Sequence, residues 1–122
     1  MSGAPEPDIR IAEGAKPVMN DPDVVAATAE VLKIAFGDKF RVSPPGTASE
    51  DFSEYAGAGV PSMMFNIGVY DQERIDAARN GGPPIPFNHS PLFAPVPKPT
   101  IETGITAMTL AVLSAFDRRK GK

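Results

Sequence analysis

Apolar and polar residues alternate through Asp8-Ile9-Arg10-Ile11-Ala12-Glu13, the two-residue period of a half-buried strand. No hairpin partner follows closely, so its partner is expected to be distant or in another molecule. The period then changes. Val24, Thr28, Val31, Leu32 and Ala35 recur at helical spacing behind Asn20-Asp21-Pro22-Asp23. That start offers a side-chain cap, a proline suited to the first turn and an acid at the positive dipole end. Gly37 supplies the stop, which predicts a helix over 22–36.

Lys39-Phe40-Arg41-Val42 reads as a short strand ended by Ser43-Pro44-Pro45-Gly46. Thr47 and Glu50 stand three apart, as in a capping box, and predict a short helix from there to about Tyr55. The compact apolar run from Pro61 to Gly68 has the length and flanks of a buried strand. Residues 71–78 fit a short exposed helix. Residues 81–99 form a long irregular stretch, and its Ile85, Phe87, Leu92, Phe93 and Val96 argue for an ordered one. Thr100 is the expected cap of a last helix whose apolar face holds Ile101, Ile105, Met108, Val112, Ala115 and Phe116. It closes on Asp117-Arg118-Arg119-Lys120, with cations at the negative dipole end. The order of strands and helices predicts an α/β fold with too few strands for a complete doubly wound sheet.

Composition narrows the function classes. The chain has 122 residues, one ordinary domain's worth, and a net charge of −3. That balance offers no electrostatic footprint for nucleic acid. No apolar run is read as approaching the ~20 residues of a membrane span. Met1 to Pro7 lacks the basic and apolar regions of a secretory signal, so cytoplasm is the default expectation. Fourteen prolines gather mainly between the periodic segments and act as loop punctuation.

The chain holds one histidine and no cysteine. His89 sits in Pro86-Phe87-Asn88-His89-Ser90-Pro91, where the prolines restrict the backbone around it. Asn88 and Ser90 flank it and are candidates to bond its second ring nitrogen, which fixes the tautomer as metal ligation requires. The alternative is a purely structural histidine. A catalytic zinc needs about three protein ligands, so a ligand role for His89 makes the chain one piece of a larger site. Ser49, Glu50 and Asp51 also carry two readings. Hydroxyls and acids favour a helix N-terminus for local reasons, and the same position can line an active-site loop.

The ordered set Thr47-Ala48-Ser49-Glu50-Asp51-Phe52, the apolar run from Pro61 to Gly68, Asn88-His89-Ser90-Pro91 and a long alanine-containing helix resembles the C-terminal part of the aminoacylase-like metallo-amidohydrolases. Hippurate hydrolases, indoleacetyl-amino-acid hydrolases and relatives of glutamate carboxypeptidase belong to that group. The resemblance covers residues 9–118. It implies a partial three-layer α/β/α zinc-peptidase-like catalytic domain over 19–122, preceded in 1–18 by the last strand of a lid, or dimerisation, domain. It implies that His89 is a metal ligand, with Ser49, Glu50, Asp51, Asn88 and Ser90 in the surrounding loops. Ala48 departs from the family's usual glycine.

The family's remaining ligands and its general-base glutamate come from regions without counterpart in this chain. The implied activity of the whole enzyme is hydrolysis of N-acyl amino acids or small peptides, with zinc, manganese, cobalt or nickel as the divalent metal. This chain alone is expected to bind metal weakly or not at all, and to be inactive. The alternative is a non-catalytic binding or oligomerising module derived from a truncated amidohydrolase. Open strand edges at 39–42 and 61–68 would favour self-association, with strand 8–13 pairing across molecules.

Overall fold

The structure is a computed structural model, and it describes residues 3–12, 14–46 and 50–120, with side chains to Arg118. Four α-helices and one 3₁₀ turn account for its regular structure: α1 (Pro22–Phe36), the turn Gly37–Lys39, α2 (Ser53–Gly57), α3 (Gln72–Arg79) and α4 (Pro97–Lys120).

α1 forms where the pattern predicts it. Asp21 Oδ1 accepts from the Val24 amide at 2.9 Å, and Pro22 occupies the first turn. Gly37 closes the helix at φ 51°, donating its amide to Lys33 O. α4 starts a turn earlier than Thr100. Pro97 and Pro99 lie inside its first turn, where amide hydrogens have no helical partner and proline costs nothing. α2 starts at Ser53, later than a Thr47 cap requires. Thr47 itself lies outside the described residues.

α1 and α4 pack against each other in antiparallel sense, and Arg118 reaches Asp23 at 3.9 Å. Their contact holds the small core, in which Thr28, Leu32 and Ala107 are buried. On α4 the inner positions are mostly small or polar: Thr103, Gly104, Ala107, Ala111 and Ser114.

The α/β expectation is corrected: no strand ladder exists among the described residues. Residues 40–43 run extended after the 3₁₀ turn, beside a groove of about 840 Å³ lined also by residues 63–70 and by α1. Residues 63–69 have the pleat without the sheet. Met63, Phe65, Ile67 and Val69 are half-buried while Met64, Asn66 and Gly68 between them are exposed. Ile67 rests on Gly104 of α4, its Cδ1 3.5 Å from where a β-carbon would stand. The backbone is anchored by Asp21 N–H to Ser62 O, by Val96 N–H to Val69 O and by the Asn20 side chain. A strand becomes a sheet only when another strand lies about 4.8 Å away, and none does here. Residues 8–12 likewise run exposed and unpaired, with Ile9 and Ile11 in the open; Glu13 lies outside the described residues.

The consequence is a large surface. The chain exposes 10419 Å², whereas a compact monomer of its 12.9 kDa exposes about 6300 Å². α4 contributes to this. Contrary to the sequence expectation, Pro97–Arg118 is long and apolar enough to cross a membrane by length and composition. Residues 103–116 carry no charge, which is why it qualifies. Here the helix lies along α1.

Candidate functional site

The candidate site is built on the loop from Pro86 to Ala94, and Tyr70 holds that loop at both ends. Its hydroxyl donates to Pro86 O at 2.8 Å and accepts from the Ala94 amide at 3.4 Å. Its ring meets Phe93 edge-on, with centroids 6.0 Å apart. The Arg74 guanidinium covers the ring at 4.8 Å, so α3 braces the arrangement. Tyr70 is the positioning residue that sequence reasoning missed. The available signal was a tyrosine directly after a buried apolar run, with a body to bury and a polar tip to spend on a neighbouring loop.

Two linked turns shape the loop. The Ser90 amide donates to Phe87 O at 3.1 Å, and the Phe93 amide donates to Ser90 O at 3.0 Å. His89 stands third in the first turn with φ 75°, the sole non-glycine at positive φ among the described residues. Asn88 keeps negative φ, so the turn is of type II, a geometry that ordinarily selects glycine at this position. A side chain held there costs on the order of 1 kcal/mol or more. The imidazole is exposed, and among the described residues it has no hydrogen-bond partner. Ser90 Oγ accepts from the Leu92 amide at 3.2 Å, which stiffens the loop. Asn88 is exposed and lies at the edge of a cleft beside the loop.

That cleft has a volume of about 430 Å³. Val69, Tyr70, Ile75 and Phe87 give it apolar walls, and Asn66 and Asn88 also line it.

The second predicted loop lies on α2. Glu50 and Asp51 are both exposed, and the Glu50 amide reaches Lys16 O at 3.5 Å. Glu50 O accepts from the Ser53 amide, which sets up the helix. Ser49 lies outside the described residues. Ser53 is buried, and its Oγ has no partner among the described residues.

A divalent metal needs several of these groups together. Among the described residues no three His, Cys, Asp or Glu side chains are grouped closely enough to hold one. Among the described residues, His89, Glu50 and Asp51 are not joined with further ligands into a metal centre. His89 is exposed, has no hydrogen-bond partner among the described residues, and is held by its turn.

Residues 6–94 match peptidase family M20/M25/M40, a span that includes both candidate loops and the pleated run between them. No curated protein and no solved structure matches the chain. With most of its length inside the match, the chain belongs to peptidase family M20/M25/M40, whose members are metallopeptidases and related amidohydrolases that generally use divalent metals.

Proposed function

We propose that this chain is the C-terminal portion of an amidohydrolase that cleaves the amide bond of N-acyl amino acids or small peptides. His89 supplies one ligand to its divalent metal, and the cleft beside Asn66 and Asn88 forms part of the substrate wall. Residues 1–18 are the end of a lid domain, and 19–122 belong to the catalytic domain. One observation carries the reading: His89 is held at φ 75°, in a turn that glycine would satisfy better. Backbone strain of this kind concentrates at functional sites.

In this account the chain is catalytically silent by itself. One imidazole cannot hold a metal-bound water in a dry pocket, and among the described residues no carboxylates are grouped to help. Two measurements test it. The purified chain, given zinc or manganese, is assayed on N-benzoylglycine, and no hydrolysis beyond that of the metal alone is expected. An antibody against the chain is then used to size the native protein in its cells of origin, where a species longer than 12.9 kDa is expected. Hydrolysis that disappears in His89→Ala would refute the single-ligand account, and a native species of 12.9 kDa alone would refute the portion account.

A further inference from the structure

Residues 71–85 leave the body of the chain and return to it beside the residue they left. The Tyr70 hydroxyl, where the excursion begins, donates to Pro86 O at 2.8 Å, where it ends. The result is a closed surface lobe with a pinned base, an arrangement that often serves function. α3 forms most of the lobe and is lightly held. Only Ile75 and Ala78 in it are half-buried, and the rest of the helix is exposed. Among the described residues α3 packs against no other helix. Asp71 gives its start no side-chain cap. Its end turns on Gly81, at φ 87°, and Gly82, where a β-carbon would stand 2.7 Å from Ala77 O. That glycine pair can absorb backbone rotation that other residues resist. Gln72 and Arg79 pair with Asp76 inside the helix. Arg74 instead reaches the body, with its guanidinium 4.8 Å from the centre of the Tyr70 ring.

Ile75 stands where two hollows adjoin. The cleft of about 430 Å³ and the groove of about 840 Å³ are both lined by Asn66, Gly68, Val69 and Tyr70, and Ile75 is the residue of α3 that lines both. We infer that α3 is a gate between them. It swings outward as a unit, on the backbone at Asp71 and on Gly81-Gly82, while α1 and α4 stay folded. The swing withdraws Ile75 and joins cleft and groove along residues 66–70. Arg74 is the latch that holds the gate shut against Tyr70. The difference in burial explains why this element opens first. Opening α3 exposes Ile75 and Ala78, each half-buried already, and breaks one surface cation–π contact. Opening α1 or α4 exposes the core at Thr28, Leu32 and Ala107. Local opening draws on the element with the fewest buried contacts.

The gate does not depend on the amidohydrolase assignment, and its test uses no metal and no substrate. Hydrogen exchange of the full chain is followed across low urea concentrations. The amides of Ile75 to Asn80 are expected to share one opening equilibrium and to exchange about tenfold or more faster than those of Leu32 and Ala107. Their rates should barely respond to urea, because the swing exposes little surface. Arg74→Ala is expected to speed the α3 amides roughly threefold, leave Leu32 and Ala107 unchanged, and be partly rescued by Arg74→Lys. The chain has no cysteine of its own, so Ile75→Cys reports the gate directly. Its labelling by a thiol reagent should quicken by the same factor when Arg74→Ala is added. If Arg74→Ala fails to fold, the urea dependence of the unaltered chain still decides. α3 amides with the urea response of α1 and α4 would overturn the inference, since the chain would then open only as a whole. So would unrelated rates along α3, the mark of fraying from its ends. Faster α3 exchange with no gain in Ile75→Cys labelling would also overturn it, by showing that Ile75 stays in place.

Discussion

Asn20 and Met64 exchange two hydrogen bonds across 44 residues of chain: the Asn20 carboxamide donates to Met64 O and accepts from the Met64 amide, each at 2.9 Å. A side-chain amide thus reproduces one rung of a sheet. It fastens the pleated run to the entrance of α1, next to the Asp21 to Ser62 bond. This anchor, with Ile67 against Gly104, lays the apolar side of the run over the helix pair. Asn20→Ala is expected to remove both bonds and cost about 1 kcal/mol at this exposed position. Hydrogen exchange at the Met64 amide should then quicken by about tenfold, and an unchanged rate would show that the run is held by its apolar side alone.

Gly104 lies inside α4 with Ile67 resting on it. A β-carbon there would meet Ile67 Cδ1 at 3.5 Å, an ordinary van der Waals contact. Gly104→Ala is therefore expected to stabilise the chain by about 0.5–1 kcal/mol, through the conformational entropy that glycine loses in a helix. Thermal unfolding reads the effect. A lower midpoint would mean that the pleated run sits closer to α4 than described here.

His89 separates folding from function. If the side chain is retained at φ 75° for ligation, folding would prefer glycine. His89→Gly is expected to raise stability by about 0.5–1 kcal/mol, while His89→Ala keeps the strained geometry and gains nothing of that kind. Equal effects of the two variants, measured by denaturant titration, would mean that the backbone strain is relieved some other way.

These relationships explain how far the sequence could be read. α1 was legible because Asp21, Pro22 and Gly37 encode its ends locally. The run from Pro61 to Gly68, read as a buried strand from its length and flanks, is not one: Met64, Asn66 and Gly68 are exposed and no ladder pairs it among the described residues. That outcome was not legible, because a ladder depends on a neighbour, and the described chain supplies only Asn20, Asp21 and Val96 as backbone partners for that run. The start of α4 was misplaced because Pro97 and Pro99 read as loop, although a first turn tolerates both. His89 was legible as a placed residue from its flanking prolines. Its positive φ was hidden, since histidine carries no signal for the third position of a type II turn, and the Tyr70 contacts that hold the loop at Pro86 and Ala94 were hidden because they join distant segments.

His89 is proposed to bring a single metal ligand to a site that the described residues do not complete. Calorimetric titration with zinc, on the chain and on His89→Ala, tests it most directly. The account predicts weak binding, with a dissociation constant of about 1 mM, or about −4 kcal/mol, abolished by the substitution. Tight stoichiometric binding, or binding that survives His89→Ala, would contradict it.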